Sequence, residues 1–395
     1  MANTLLTPTA VTREALRILH QKLNFVGNVN RNYDKSYAND GAKIGDSLKI
    51  RLPNQYTVTD GATMSAQDTE ESSVTLSVSS QKHVAMNFTS AELTMDLDDF
   101  SERIIAPAMS VLAANIESDA LSMYKSVYQQ VSNLGNAATF KNVANVRRKL
   151  VDSLTPMDKL SMLINTEDNV DLVDALKGLF NDQKEVSKQY REGYIGRTAG
   201  FGFMENTLLP THTTGSDDGT GDYLTNDATA QTGSALTVDT GTGTLKQGDI
   251  ITIAGVNRVH PETKVDTNQL MQFVVTADVG ASGTSIPISP AIVATGAKQN
   301  VTNGAANNQA VTKVGGASAV HNISMGFHRD AFAFATADLI KPKGVDFCAR
   351  EVMDGISMRL VRDYDINNDK LPCRIDVLYG YEAIRPELAC RWANN

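Results

Sequence analysis

Three short stretches of this 395-residue chain combine residue types that could carry out chemistry. His328-Arg329-Asp330 has the letters of a kinase catalytic loop, in which the aspartate accepts a hydroxyl proton. No Asn follows at the spacing a second metal ion requires. The chain also lacks an Asp-Phe-Gly and a glycine-rich phosphate loop with its lysine, so these three read as polar residues ahead of a strand. Asp217, Asp218 and Asp222 stand among glycines and offer oxygen ligands of the kind calcium takes. They lack EF-hand spacing and its closing Glu, and a solvated linker accounts for them. Gly241-Thr242-Gly243 lacks the third glycine and the strand-helix-strand context of a dinucleotide site, which leaves a turn.

The other reactive side chains are dispersed. His20, His83, His212, His260, His321 and His328 make no HxxxH or HExxH spacing, and no Gly-x-Ser-x-Gly elbow occurs. Cys348, Cys373 and Cys390 are 25 and 17 residues apart, with no CxxC pair. They fit small core residues in a reducing compartment better than a zinc site or a disulfide framework. Triads do assemble from distant residues, so dispersion alone does not exclude one. The reading assigns no catalytic, cofactor-binding or metal-binding residue, and expects no cofactor.

The bulk numbers narrow the class. A net charge of −9 opposes a protein built mainly to neutralise phosphates, although an acidic wall beside DNA is compatible with it. With 42% hydrophobic and 21% charged residues the chain is globular, and its length calls for two or three sub-domains. Met1–Ala10 carries no signal-peptide pattern, and no apolar run reaches the ~18 residues that span a bilayer. The expectation is a soluble chain made in a cytoplasm, with no membrane contact.

Several elements are legible in the spacing. Val11, Ala15, Ile18, Leu19 and Leu23 predict an amphipathic helix over Thr9–Asn24, to be covered by a partner or by a distant part of its own fold. Leu48, Ile50 and Leu52 alternate with Lys49 and Arg51 after Gly45-Asp46. Past the polar stretch Pro53–Ser73, alternation returns through Val74, Leu76, Val78, Val84, Met86 and Phe88. This predicts a long β-hairpin, Leu48–Phe88, which by itself is marginal in water. Ile105, Met109, Leu112, Ile116, Met123, Val127 and Val131 predict a spine helix over Asp99–Val131, roughly 45 Å long. Asp99 with Glu102 resembles a capping box, and Pro107 predicts a kink or a late start.

Two helices are expected at Asn142–Asp152 and Val170–Phe180, with a buried strand at Leu160–Ile164 between them. Gly193–Pro210 then brings strand formers (Tyr194, Ile195, Phe201, Phe203) among glycines. From about Gly215 to Val320 the chain turns rich in Gly, Thr, Ser, Ala and Asn. Short strands recur at Leu236–Val238, Ile250–Ile253, Met271–Thr276 and Ile286–Ile288, broken by turns such as Gly248-Asp249 and Ser289-Pro290. This implies an inserted all-β domain with Met271, Phe273 and Val275 inside, Gln272 and Thr276 outside, and few contacts across its boundaries. The remainder is strand-rich: Phe327, Phe332 and Phe334 in one segment, Ser357–Arg362 in a second, Arg374–Tyr379 in a third.

Against these elements, a series of segments resembles the major capsid (coat) proteins of tailed bacteriophages, in the short-tailed-phage branch with an inserted β-barrel domain. They are MANTLLTPTAVTREALRIL, KIGDSLKIRLP, FSERIIAPAMSVLAANIESD, GRTAGFGFMENTLLP, GDIITIAGVNRVHPETK, QFVVTADV, HRDAFAFATADL and RIDVLYGYEAIRPELACRW. No one of them is diagnostic, but they run in that family's order over nearly the whole chain.

The resemblance implies an α+β fold, the tailed-phage capsid fold first described for a Hong Kong lambdoid phage, with an inserted antiparallel β-barrel. It implies an N-terminal arm over 1–40, an extended β-hairpin loop over 41–90, and a peripheral domain with the spine helix over 91–140, completed by C-terminal strands. The axial domain would take 141–221, the inserted barrel 222–320, and the rest of the axial and peripheral domains 321–395. It further implies a structural protein, not an enzyme, whose first partner is itself, as pentamers and hexamers of an icosahedral shell. Scaffolding protein, a portal at one vertex, double-stranded DNA held without sequence specificity at the inner surface, and decoration proteins complete the implied partners. The virion, assembled in the bacterial host cytoplasm, is the implied location, with no further cleaved segment and no covalent Lys–Asn crosslinks. A tail or decoration component would be mainly β without a spine helix. A hydrolase with an inserted β domain would need a nucleophile and base that the sequence does not present.

Overall fold

The computed structural model describes residues 8–31, 47–62, 64, 66–68, 71–88, 105–176, 197–219, 222–239, 241–353, 356–366 and 370–394. The chain divides into two compact units: Met1–Ile50, Val74–Leu121 and Phe332–Ile384 in the first, Arg51–Ser73, Ser122–Ala331 and Arg385–Asn395 in the second. The Gly45-Asp46 strand start, the Asp99/Glu102 capping box, the end of the helix expected to reach Phe180, and Tyr194 and Ile195 lie outside the described residues.

In the first unit, helix α1 (Pro8–Lys22) forms where the apolar spacing predicts it and buries Ala15, Leu16, Ile18 and Leu19. Its cover comes from its own unit. It packs on α3 (Ala106–Leu121) and on strands β17 (Phe347–Met353) and β18 (Ile356–Arg362). Of the two covers left open for this helix, the distant part of its own fold is the one used. The short α2 (Phe25–Asn28) follows, with Phe25 edge-on to Phe332 at 5.5 Å and the Val26 amide donating to the buried Glu117 at 3.3 Å.

The spine helix is shorter than expected. Its stripe of Met109, Leu112, Ala113, Ile116 and Ala120 is buried, and Pro107 sits in the first turn, where no intrahelical N–H bond is lost. The helix ends at Leu121, so at ~1.5 Å per residue it spans roughly 24 Å. Met123, Val127 and Val131 are buried, but Met123 is in a 3₁₀ turn (Ser122–Ser126), Val127 in the irregular stretch after it, and Val131 in β4 (Gln130–Ser132). Their helical spacing therefore reflects burial in three different local conformations, which periodicity alone cannot tell from one continuous helix.

The expected long hairpin is also two separate things. β1 (Ser47–Arg51) pairs with β2 (Ser73–Ser77) in a two-stranded ribbon. β3 (Ser80–Phe88) leaves it and lies antiparallel to β19 (Leu371–Ala383) over nine residue pairs, from Ser80 against Tyr379 to Phe88 against Leu371. On its other edge β19 pairs with β18 and with β16 (Phe332–Ala337), and β17 closes the order. The Asp376 carboxylate, fully buried in this sheet, accepts from Arg359 Nη2 at 2.7 Å and Arg374 Nε at 2.5 Å. Gly380 is needed where it stands, since a Cβ there would come within 2.1 Å of the Ser77 carbonyl oxygen.

The second unit contains two sheets. One runs β4-β20-β15-β5-β7-β6, with β8 (Thr211–Thr213) pairing the far end of β15. Its strands are β5 (Leu160–Ile164), β6 (Arg197–Thr198), β7 (Phe201–Glu205), β15 (Val320–His328) and β20 (Ala389–Asn394). α4 (Phe140–Asp152) buries Val143, Val146 and Leu150 in one core with Met162, Phe201 and Trp392, joined by Leu172 of α5 (Thr166–Leu176). Phe327 lies in β15 and Phe332 and Phe334 in β16, with a 3₁₀ turn between, so the expected single segment is two strands of two sheets.

The other sheet is antiparallel, in the order β10-β13-β12-β11-β14-β9. It comprises β9 (Tyr223–Leu224), β10 (Gly233–Thr237), β11 (Ile250–Val259), β12 (Asp266–Val275), β13 (Ser285–Ile292) and β14 (Ala310–Lys313). Bonds from the Asn226 amide to Thr237 O (3.0 Å) and from the Asp239 amide to Leu224 O (2.7 Å) link the first and last strands of that order. Met271, Phe273, Val275, Ile251, Ile253, Ile286 and Ile288 share its core, as the alternation requires. Ser289-Pro290 does not end a strand. β13 runs through it, and its pairing to β12 stops at Ser289, so Pro290 breaks no bond of that ladder.

Ile116, near the centre of the α3 stripe, is 1% exposed. Ile116→Asp would bury an unpaired carboxylate, costing a large part of a total stability of ~5–15 kcal/mol. The expected outcome is loss of soluble protein on expression, checked by the soluble fraction against wild type. Normal yield and an unchanged melting temperature would show that the stripe tolerates charge.

Candidate functional site: a buried polar joint

The stretches singled out for chemistry fold as structural turns. His328 of the His-Arg-Asp stretch is buried, and its Nδ1 accepts the amide of Asp330 at 3.2 Å, which closes the turn before β16. Asp222 accepts from the Thr242 amide and hydroxyl and from the Gly243 amide (2.5, 2.7 and 3.0 Å), and these hydrogen bonds hold its carboxyl below the usual range. Asp217 is buried, not solvated, and its carboxyl is pushed upward by that burial. The expected solvated linker is therefore packed at Asp217, while Asp218 is exposed. Gly241 and Gly243 are glycine because a side chain would strike the Tyr223 ring and the Asp217 backbone. Among the described residues no group of three His, Cys, Asp or Glu is arranged to hold a metal ion. All three cysteines are free, and burial raises the thiols of Cys373 and Cys390 to about 12 and about 11, the range of inert core residues.

Tertiary structure does bring scattered polar residues together in the second unit. Asp249, between Gly248 and the start of β11, accepts from His212 Nε2 at 2.8 Å, from the Lys246 amide at 2.8 Å and from the Gly215 amide at 3.0 Å. Burial alone would push its carboxyl up, but these three donors outweigh burial and hold it below the ordinary value. With Nε2–H donating to the carboxylate, His212 Nδ1 faces the Tyr124 hydroxyl, 3.1 Å away, and can accept it. The His321 ring meets His212 edge-on at 5.5 Å, in register across the β8–β15 pair. Arg391, fully buried on β20, donates Nη2 to the Gly248 carbonyl at 2.8 Å and lies over the Tyr124 ring at 5.7 Å. Lys313 Nζ donates to the carbonyls of Gly215 (2.8 Å) and Gly316 (2.9 Å).

A Tyr–His–Asp chain has the order of a proton relay, yet His212 and Asp249 are only 5% and 0% exposed, so no substrate reaches them here. Their work is mechanical, fastening the six-stranded sheet to the seven-stranded one. Other fasteners lie alongside. Gln272, expected to face solvent, exchanges bonds with the Gln130 backbone (3.0 and 3.1 Å) and accepts Lys149 Nζ at 2.6 Å. Arg258 caps the end of α4 at the Asp152 carbonyl and Ser153 hydroxyl, and Tyr128 packs on the six-stranded core. The expectation of few contacts across the boundaries of 222–320 is therefore corrected. Spacing could not reveal the joint, because its members come from five separate stretches; the one local hint is an Asp opening an apolar strand.

Asp249→Ala leaves three donors without their acceptor in a dry site, so the subunit should lose roughly 3 kcal/mol. Scanning calorimetry of the purified subunit should show a melting temperature lower by several degrees, with Asp249→Asn in between. A melt equal to wild type for the alanine variant would show that the joint adds nothing.

Comparison with known proteins bears on the chain as a whole. Its fold is similar to a solved structure described as Mycobacterium phage Che8, at TM-score 0.50 and 13% identity, over 94% of this chain and 90% of that one. It is also similar to the asymmetric unit of the bacteriophage PhiM1 mature capsid (TM-score 0.44, 12% identity, 94% and 89% covered). A virus-like particle from Pyrococcus furiosus is a third similar structure (0.38, 8%, 97% and 97%). No curated protein matches the sequence. The model of one family, described as P22 coat protein, gene protein 5, matches residues 3–391, nearly the full length. The chain therefore belongs to the P22 coat protein family, whose members are structural proteins and not enzymes.

Proposed function

We propose that this chain is the major capsid protein of a tailed phage, assembling as pentamers and hexamers into an icosahedral shell that encloses double-stranded DNA. The observation that carries the reading is the coat-protein match over residues 3–391. Scaffolding protein, a portal at one vertex and decoration proteins are the further partners, with the virion as location and the host cytoplasm as the place of assembly. Among the described residues no helix is long and apolar enough to cross a membrane. Residues 222–320 form the inserted β-barrel in this reading and stand on the outside of the axial domain. The 1–40, 41–90, 91–140, 141–221 and 321–395 stretches take the arm, loop, peripheral and axial roles.

The segment between β1 and β2 supports self-association. It is braced from within by Arg51 against Glu71 (3.2 Å) and by Gln67 bonding both backbone groups of Thr57 (3.0 and 2.5 Å). Yet it presents Tyr56, Val58 and Met64 at 58%, 94% and 88% exposure. Large apolar side chains held out on a braced loop are suited to burial against a neighbouring copy.

Electron microscopy of the protein expressed with its scaffolding protein should show closed particles. Small defined oligomers in all conditions would overturn the reading. Val58→Asp with Met64→Asp should leave the monomer's melting temperature within about 1 °C, since surface changes rarely exceed ~0.5 kcal/mol, while particle yield falls at least tenfold. The excised 222–320 fragment carries its own apolar core and should give a dispersed amide spectrum as a monomer. A random-coil spectrum would show instead that its fasteners are required for folding.

A further inference from the structure

Most buried polar atoms in the joint are matched, but two residues are left short. Among the described residues, both ring nitrogens of His321, and Nε and Nη1 of Arg391, have no hydrogen-bond partner, although both side chains are buried. The groups facing His321 come from every element around it: His212 on β8, Arg391 on β20, Lys313 on β14, Tyr124 on the 3₁₀ turn and Asp249 ahead of β11. Two are fixed cations, and the one carboxylate is already engaged by His212 and two backbone amides.

We propose that His321 is the trigger of an acid-sensitive latch that holds the six-stranded sheet against the seven-stranded one. In the closed joint His321 is neutral. A proton taken from solvent onto its free ring nitrogen makes an imidazolium with two N–H donors and no acceptor for either, beside Arg391 and Lys313. The imidazolium is relieved by hydration, which requires β15 and β8 to part from the Gly248-Asp249 corner. Both sheets keep their own cores, because neither the Phe273 cluster nor the Trp392 cluster includes a joint residue.

The sign follows from the direction of the shift. Burial first, then the neighbouring His212 ring and the Arg391 charge, lower the closed-state pKa of His321 from 6.5 to about 4. The opened joint binds the proton more tightly, so closure is fully favoured above about pH 6.5 and weakens as pH falls toward 4. At pH 4.5 the opening equilibrium should rise roughly fifty- to a hundredfold over its neutral value.

Hydrogen exchange of the full-length subunit tests this, with rates corrected for the pH dependence of chemical exchange. Peptides containing the Gly215 and Lys246 amides, both bonded to Asp249, should lose protection tens of fold between pH 6.5 and 4.5. Peptides covering β5 and α4 should keep theirs. His321→Phe keeps an aromatic ring beside His212 but cannot titrate, and should abolish the change. The proposal is overturned if His321→Phe loses joint protection at the same pH as wild type. Simultaneous loss at β5 would overturn it too, since that is global acid unfolding. Should the variant not fold, the His321 Hε1 resonance of the wild-type subunit decides: a pKa well below 6.5 supports the latch, and one at or above 6.5 overturns it.

Discussion

The second unit depends on how one buried carboxylate is satisfied. Asp249 cannot stay ionised in a dry site unless donors converge on it, and those donors come from His212, Gly215 and Lys246. Each donor constrains something larger. His212 ties in β8 and through it β15, Gly215 sets the entry to the six-stranded sheet, and Lys246 sets the turn leading to β11. Arg391 then reaches the adjacent Gly248 carbonyl from β20. One acceptor thus fixes the mutual position of two sheets that share little apolar core. Polar fastening of this kind is directional, whereas apolar packing tolerates sliding.

The first unit solves a different problem. Its sheet is organised on the long strand β19, which takes β3 on one edge and β18 and β16 on the other. Asp376 at the middle of that strand is matched by Arg359 and Arg374, while Tyr379 donates to Asp119 of α3 at 2.5 Å. Burial and this bond together raise the Tyr379 hydroxyl far above its usual range, so it stays a donor. Sheet and helix are therefore joined by named polar contacts as well as by the Ile116 stripe.

Membership of a coat-protein family gives these features a purpose. In the proposed reading a shell subunit has to hold its internal geometry while offering adhesive surface to identical neighbours, and a braced loop with outward apolar side chains suits that without weakening the core. The candidate chemistry in the sequence dissolves into the same logic. Asp222 stabilises a turn, His328 closes another, and the cysteines fill space.

Periodicity in the sequence was enough to determine which face of most elements is buried. Ala15, Ile18 and Leu19 of α1, the Ile116 stripe of α3, the wholly buried β5, and the alternating Met271, Phe273 and Val275 of β12 all follow from spacing alone, because burial repeats with the geometry of each element. The order of resembling segments likewise pointed to the coat family. Only the tertiary structure decided what each buried face meets. β3 left its ribbon for β19, some 290 residues onward, and α1 found its cover at α3 and β17. Met123, Val127 and Val131 kept their burial without the helix, in a 3₁₀ turn, an irregular stretch and β4 in turn. The joint of Tyr124, His212, Asp249, His321 and Arg391 left no local signature beyond an Asp opening an apolar strand. Its residues satisfy one another only after distant strands have paired, and a hydrogen bond between groups far apart in the chain leaves no period for a sequence to display.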